Sequence, residues 1–328
     1  MPASICAIRS RVMTPELAGC FKRDEEPKLK KAIVIYNPVK VGDAEEFTAG
    51  LNAAAQQHDF TVEYLTTSVD DPGFAMAAQA RERHPDLVIA AGGDGTVRVV
   101  STEMRHSGIP VAILPAGTTN LLARNLNVPL DMKAAMELAF TGQKVSMDIV
   151  KVHNDTSRKP WYFTGMAGIG IDAEVMHHVD EGLKKVVGPV AYVMSFFKQV
   201  NNSVHRCRFR IDGKQVLKRN VIIFMVGNTS ELTGGIQLFP DATPFDGSLD
   251  LLIGAPQGVG GWWSVVKNVV LRLGGHSTLE YFSGKRFEVL LHKPVVWEMD
   301  GDPEAAARHW VFQVVPQAIT VIAGNPVS

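Results

Sequence analysis

The segment best suited to chemistry is residues 92–96, which read Gly-Gly-Asp-Gly-Thr between a β-branched run and a helical pattern. Glycines let the backbone approach a ligand closely and adopt positive φ. The N–H groups at the start of the following helix, near Thr96 and Val97, can bind an anion. Asp94 is unusual there, because a carboxylate repels phosphate unless it lies beside a metal ion or accepts a proton. The alternative is a tight turn with a solvated Asp94.

A second polar loop, residues 114–120, follows the next apolar run and reads Leu-Pro-Ala-Gly-Thr-Thr-Asn. Thr119 or Asn120 could simply cap a helix. Two successive strand–loop–helix units, however, place both loops at the carboxyl edge of a parallel sheet, where open α/β sheets bind ligands. The pair therefore favours nucleotide binding. The spacing matches neither GxGxxG nor GxxxxGK[ST], so neither a Rossmann fingerprint nor a P-loop is predicted.

Two Asp-Gly pairs, Asp246-Gly247 and Asp300-Gly301, lie later in the chain between β-like runs. Asp-Gly flanked by apolar residues is a strong signal of a tight hairpin. Taken alone, each pair therefore predicts a turn.

The elements that must position these residues change in character along the chain. Strands are predicted at residues 32–36, 61–65, 86–91 and 110–114, and helices at 45–58, 73–83 and 97–106. This alternation indicates parallel strands with helices on both faces. From about residue 144, β-rich segments follow one another, and the helical stretches are at 183–200 and 259–273. The second half is therefore expected to be an antiparallel sheet or sandwich. The predicted division is a flexible leader at 1–28, an α/β domain at 29–145 and a β-rich domain at 146–328.

Composition excludes several classes of protein. The 328 residues include 33 Lys and Arg against 34 Asp and Glu, and this net charge of -1 argues against a protein that coats nucleic acid. Cys6, Cys20 and Cys207 form no CxxC pair, so neither a disulfide framework nor a structural zinc site is predicted. No apolar run approaches the ~18 residues of a membrane span, and no signal peptide is recognised. A cytoplasmic protein is expected, with peripheral contact at the inner face of the membrane left open.

In order along the chain, these motifs resemble the diacylglycerol kinase catalytic family. This family includes bacterial lipid kinases and the sphingosine kinases and is distantly related to NAD kinases and phosphofructokinases. Beyond the two loops, the likeness rests on Asn37-Pro38 and on residues 168–173, 240–250 and 300–303, and it covers about residues 30–325. It implies an N-terminal nucleotide-binding α/β domain with a parallel sheet, like that of NAD kinases and phosphofructokinases. A C-terminal antiparallel β-sandwich would bind the lipid.

The resemblance also implies roles for individual residues. Asp302 lies where such kinases have their proton acceptor, Asp300 could share that role, and Asp94 is an alternative base, as viewed in the sphingosine kinase branch. A structural Mg²⁺ would be bound by the Asp246 carboxylate and by the carbonyls of Thr243 and Ser248. The residues expected to contact ATP are Asn37, Thr66, Gly92, Gly93, Asp94, Gly95, Thr96, Gly117, Thr118 and Asn120.

The implied activity is that of an ATP-dependent lipid kinase that phosphorylates a lipid hydroxyl, with diacylglycerol as the default acceptor. A sphingoid base, phosphatidylglycerol or NAD are alternative acceptors, and a non-catalytic nucleotide- or lipid-binding regulator is an alternative of another class. A homo-oligomer is left open. Three features depart from the family pattern. Arg98 and Val99 replace the usual Asn-Glu, Leu121 follows Asn120 where Asp is common, and Asp302 replaces Glu.

Overall fold

The computed structural model describes residues 29–170, 203–232, 236–255, 261 and 279–324. The first part of the chain contributes four parallel strands to the sheet, in the order β2-β1-β3-β4. They are β1 (Lys30–Tyr36), β2 (Phe60–Thr66), β3 (Leu87–Gly92) and β4 (Pro110–Pro115). The central strands β3 and β4 are buried along their whole length, as expected of apolar strands covered on both faces. The predicted parallel sheet is confirmed.

Several helices of the described residues begin where a side chain accepts hydrogen bonds from their free N–H groups. Asp43, for example, accepts hydrogen bonds from the N–H groups of Glu45 and Glu46 at the start of the first helix. The helices are α1 (Ala44–Gln57), α2 (Phe74–Glu82), α3 (Asp94–Glu103), α4 (Leu121–Asn125) and α5 (Met132–Thr141). In this part of the chain, none is long and apolar enough to cross a membrane.

Helix α3 begins three residues earlier than predicted, at Asp94 and not at Val97. The N–H of Val97 already bonds to the carbonyl of Gly93 at 3.0 Å. The glycine loop is therefore the first turn of the helix, and not a separate connection in front of it.

The second part of the chain is β-rich and antiparallel. Its strands are β5 (Gln143–Asn154), β6 (Trp161–Phe163), β7 (Met166–Ile169), β8 (His205–Ile211), β9 (Gln215–Val221), β10 (Ile223–Gly227), β11 (Glu231–Leu232), β12 (Ile236–Gln237), β13 (Leu249–Gly254), β14 (Leu279–Gly284), β15 (Arg286–Met299) and β16 (Asp302–Ala323). Their inward-facing aromatic side chains form the second core, in which the rings of Trp297 and Trp310 lie 6.1 Å apart. The predicted β-sandwich is confirmed. Strand β15 is bulged, with register shifts against β16 between Leu290 and Val295 and between Val295 and Trp297.

The long strand β16 joins the two parts of the molecule. Its first half pairs antiparallel with β15, and Thr320 and Val321 near its end pair parallel with β4. The tail of β16, from Ala318 to Ala323, accordingly lies in the first core. The division at residues 145 and 146 stays a prediction. The predicted leader and the predicted helices at 183–200 and 259–273 lie outside the described residues, except for residue 261.

Candidate active site

The first glycine loop owes its glycines to close packing and not to unusual backbone angles. Gly93 has φ −83°, and neither Gly92 nor Gly95 lies in the left-handed region, so the expectation of positive φ here is wrong. A Cβ on Gly92 would lie only 2.9 Å from Cβ of Thr96. In the described part of the chain, no side chain caps the start of α3. Its first N–H groups therefore remain available to an anion.

The second glycine loop packs directly against the first. A Cβ on Gly117 would lie 2.7 Å from Cα of Gly93, so the two backbones touch. Asn120, with φ +50°, closes this loop through its side-chain amide. Its Oδ1 accepts from the N–H of Gly117 at 2.9 Å, and its Nδ2 donates to the carbonyl of the same residue at 2.8 Å.

The carboxylate of Asp94 faces the second loop. Its Oδ1 accepts from the N–H of Leu121 at 2.6 Å and its Oδ2 from the N–H of Asn120 at 3.1 Å. Burial raises the pKa of Asp94, the Leu121 N–H opposes that shift, and the charge of Asp300 adds to it. This geometry explains why a carboxylate lies inside a glycine loop. Asp94 accepts hydrogen bonds from N–H groups at the start of α4 and leaves those at the start of α3 uncapped.

The Asp300-Gly301 pair forms the hairpin between β15 and β16. Its φ angles are +48° and +87°, and Met299 pairs with Asp302 on either side. Two positive φ angles in a two-residue loop are those of a type I′ turn. The hairpin predicted from this pair is confirmed.

Asp300 is buried and binds the segment that precedes β7. Its Oδ1 accepts from the N–H groups of Gly165 and Met166, at 2.8 and 3.0 Å. Its Oδ2 accepts from the N–H and the hydroxyl of Thr164, at 3.0 and 3.2 Å. Burial raises the pKa of Asp300, and the nearby charge of Arg98 opposes this most strongly. Both oxygens of Asp300 are thus committed to holding the hairpin in place.

Asp302, the next-but-one residue, has a different environment. Its side chain is 38 % exposed, and its Oδ2 accepts from Nη2 of Arg98 at 2.7 Å. The same oxygen would lie 3.4 Å from a Cβ on Gly95, so the carboxylate lies against the first glycine loop. Among the described residues, Oδ1 of Asp302 accepts no hydrogen bond. This carboxylate therefore has one oxygen free.

A cavity of about 340 Å³ brings most of the predicted site residues together. The predicted residues that line it are Asn37, Gly93, Asp94, Gly95, Thr96, Gly117, Thr118, Asp300 and Asp302. Gly92 and Asn120 do not line the cavity, although they shape the two loops that do. Thr66, at the end of β2, does not line it either, whereas Ser68, two residues later, does.

Sequence reasoning missed Lys40, which also lines the cavity. The Asn37 side chain accepts from the N–H of Val39 at 3.0 Å, and the Asn37 carbonyl accepts from the N–H of Lys40 at 3.1 Å. This turn carries the lysine towards the glycine loops. The Asn-Pro pair and the cation two residues after it were the signal that could have identified Lys40.

The predicted metal loop lies outside this cavity. Asp246 is exposed, and its Oδ1 accepts from the N–H of Ser248 at 2.8 Å. Pro244 and Phe245 form a turn between Thr243 and Asp246. A carboxylate oxygen and backbone carbonyls are the hard oxygen donors that Mg²⁺ prefers, so the donor set fits the ion that the resemblance implies. The described residues contain no cluster of three or more His, Cys, Asp or Glu placed to hold a metal.

Asp148 is a further residue that the sequence did not single out. It is buried, and its Oδ2 accepts from the N–H of Gly247 at 2.7 Å while its Oδ1 accepts from the N–H of Gln317 at 2.7 Å. Its own N–H bonds to the carbonyl of Pro244. Asp148 thus ties the predicted metal loop to β5 and β16.

An α/β unit with two glycine loops is thus joined to an antiparallel sandwich that contributes acidic residues to the same cavity, as in a transferase. Comparison with known families agrees. Residues 31–152 match the diacylglycerol kinase catalytic domain, and residues 165–323 match the YegS C-terminal NAD kinase beta sandwich-like domain.

Individual relatives give the same result. A diacylglycerol kinase of Staphylococcus aureus (strain bovine RF122 / ET3-1) is 30 % identical over 276 residues, covering 82 % of this chain and 80 % of that protein. A Stenotrophomonas maltophilia (strain K279a) protein named "Probable lipid kinase YegS-like" is 27 % identical, covering 78 % of this chain and 84 % of that protein. The chain belongs to the diacylglycerol kinase family and is an enzyme of the phosphotransferase class.

The fold agrees with a solved structure. A diacylglycerol kinase from Bacillus anthracis strain Sterne superposes with a TM-score of 0.68 at 22 % identity, covering 92 % of this chain and all of that chain. The likeness extends over both the α/β unit and the sandwich, because the alignment covers nearly the whole of this chain.

Proposed function

We propose that this enzyme is an ATP-dependent lipid kinase that transfers the γ-phosphoryl group to a lipid hydroxyl, with diacylglycerol as the acceptor. The observation that carries the proposal is the position of Asp302. Its carboxylate lies against the first glycine loop, in a cavity lined by both glycine loops, with one oxygen free. Phosphoryl transfer to an alcohol needs such a group within reach of the hydroxyl proton.

The triphosphate would bind at the start of α3. The N–H groups of its first turn carry no side-chain cap among the described residues, and the helix dipole favours an anion there. Lys40, which lines the same cavity, adds a positive charge, and Thr96 and Thr118 add hydroxyls. Together these groups would hold the phosphates in line with the acceptor.

Asp302 would act as the general base. The acceptor oxygen attacks the γ-phosphorus, the bond to the β-phosphate oxygen breaks, and ADP leaves with the bonding electrons. The hydroxyl proton passes to Oδ1 of Asp302. Asp94 and Asp300 are poorer candidates, because N–H and hydroxyl donors already occupy both oxygens of each. They would position the loops and the hairpin instead.

Mg²⁺ would be held by Asp246 with the carbonyls of Thr243 and Ser248. When bound, the ion would neutralise local negative charge and order this loop. Burial and the charge of Asp246 raise the pKa of Asp250 to about 6. The two carboxylates therefore repel each other, and a cation held by Asp246 would offset this repulsion. The enzyme would work at the inner face of the membrane, where its acceptor resides.

The test is transfer of radiolabelled phosphate from ATP to a panel of diacylglycerol, sphingosine, phosphatidylglycerol and NAD. We expect lipid product from the wild-type protein and a loss of at least about tenfold in single-turnover rate for Asp302→Asn, since removing a general base costs ~10²–10⁴-fold. Asp212→Asn is the matched control, because Asp212 also lies at a positive-φ hairpin position but far along the sandwich in the β8–β9 turn.

Three results would contradict the proposal in different ways. Transfer to NAD alone would make the protein an NAD kinase. Nucleotide binding without transfer to any acceptor would favour the alternative of a non-catalytic nucleotide-binding regulator. An Asp302→Asn rate above about a tenth of the wild-type rate would move the base elsewhere, with Asp94→Asn as the next variant to compare.

A further inference from the structure

Arg98 connects the glycine-loop helix to the β15–β16 hairpin. It lies four residues after Asp94 on α3 and therefore on the same face of the helix, and its side chain is 13 % exposed. Its Nη1 donates to the carbonyl of Met299 at 3.0 Å, and its Nη2 donates to Oδ2 of Asp302 at 2.7 Å. One guanidinium thus holds both the backbone before the turn and the carboxylate after it.

The surroundings of Asp302 are strongly acidic. Asp94 approaches from the start of α3, Asp300 from the turn, and Glu304 from β16. Burial raises the pKa of Glu304, Arg98 opposes that shift, and the charge of Asp302 adds to it.

Two cations face this acidic group among the described residues. Lys40 lines the cavity, and Arg98 touches Asp302 directly. Without Arg98, the carboxylate of Asp302 would lose the guanidinium that it touches and would lie near the carboxylates of Asp94 and Glu304.

We propose that Arg98 is a positioning residue for the phosphoryl-transfer step. It fixes Asp302 through Oδ2 and offsets the charge of the neighbouring carboxylates, so that Oδ1 is directed at the acceptor hydroxyl. The inference rests on the proposed function, in which Asp302 takes that proton. Arginine suits the task because its planar fork reaches two acceptors at once, whereas a lysine ammonium is a single point charge.

The kinetic test compares Arg98→Gln, Arg98→Lys and Arg105→Gln. Arg105 is the matched control, because it follows the same helix, bonds to the carbonyl of Thr102 and stacks on Tyr162, but touches no carboxylate of the cavity. For Arg98→Gln we expect kcat at neutral pH to fall by about tenfold or more through misorientation of Asp302, with KM for ATP within about threefold. Arg98→Lys should recover part of kcat, and Arg105→Gln should leave both kcat and KM unchanged.

A double-mutant comparison separates positioning from a general structural effect. If Arg98 acts through Asp302, Arg98→Gln should cost little more in the Asp302→Asn background, because residues that act as a unit are not additive. A full additional loss in that background would overturn the proposal.

A readout that needs no turnover distinguishes this inference from the proposed function. The carboxyl ¹³C signal of Asp302, assigned by its absence in Asp302→Asn, can be recorded at neutral pH in protein labelled at aspartate. We expect its chemical shift to change in Arg98→Gln, which removes the bond to Oδ2, and to stay in Arg105→Gln. An unchanged chemical shift in Arg98→Gln overturns the role of Arg98 even if the enzyme phosphorylates lipids. A changed chemical shift in a protein that transfers phosphate to no acceptor supports the positioning role and removes the proposed function instead.

Discussion

The two glycine loops occupy equivalent places in successive strand–loop–helix units but differ at their helix starts. In the described residues, no side chain caps the start of α3, which follows residues 92–93. The start of α4, which follows residues 115–120, is filled by the two oxygens of Asp94. The first N–H groups of α3 are thus left without a side-chain acceptor among the described residues, whereas those of α4 already bind a carboxylate.

The difference shows that a glycine loop before a helix is not by itself a phosphate site. What matters is whether the first N–H groups are already satisfied. Asp94 satisfies those of α4 and, by doing so, turns its own charge away from the start of α3. We therefore propose that the first loop binds the phosphates and the second holds the first in shape through the Gly93–Gly117 contact.

Among the variants that test this difference between the two glycine loops, Asp94→Ala should have the largest effect. It removes the acceptor of two N–H groups at the start of α4, at a cost of about 1–3 kcal/mol in the free energy of unfolding. It should also lower turnover about 10²-fold as the loops lose their alignment. Thermal melting and single-turnover rates measure both. Hydrogen exchange should speed up at the amides of Asn120 and Leu121. Unchanged exchange there would contradict the proposal that Asp94 holds the start of α4 in place.

Gly117→Ala should have the next largest effect. Its Cβ would lie 2.7 Å from Cα of Gly93 and push the loops apart. Overpacking of this kind costs about 1–3 kcal/mol, and we expect turnover to fall by roughly 30-fold. Gly50→Ala on α1 is the control, because its nearest neighbour there is the flexible Met136 side chain at 3.5 Å. Equal melting temperatures and rates for the two variants would show that the Gly93–Gly117 contact does not shape the site.

Gly95→Ala should have a smaller effect, confined to the first loop. The added methyl would lie 3.4 Å from Oδ2 of Asp302, an ordinary contact, so the fold should stay intact. It would occupy space between the proposed phosphate cradle and the proposed base, and we expect a loss of about tenfold in kcat/KM. Steady-state kinetics and melting test this together. A melting temperature lowered as much as in Gly117→Ala would mean that Gly95 serves packing instead.

Asp246→Asn should leave both glycine loops unchanged, because Asp246 lies outside the cavity that they line. If the loop binds Mg²⁺, the wild-type protein should melt higher with added Mg²⁺ and the variant should not, by mass action on the folded state. For a protein of this size, each kcal/mol corresponds to about 2–4 °C. Asp241→Asn, an exposed carboxylate in the same region, is the control. An equal Mg²⁺ response in Asp246→Asn and wild type would dismiss the proposed ion site.

The sequence by itself determined the secondary structure around the site and the family. Alternating β-branched and helical segments predicted strands β1 to β4, and the Asp300-Gly301 pair predicted the hairpin that presents Asp302. These features depend on local propensity, periodicity and turn chemistry, which neighbouring residues fix among themselves. The ordered motifs then identified the diacylglycerol kinase family.

Only the tertiary structure decided what the acidic residues touch. Asp94 meets the start of α4 across 26 and 27 positions of sequence, and Arg98 meets Asp302 across 204. Nothing in the local pattern around Asp94 distinguishes a carboxylate that faces a ligand from one that caps a neighbouring helix. The charge and hydrogen-bonding state of a side chain depend on the groups that packing brings beside it, and those groups come from distant segments of the chain.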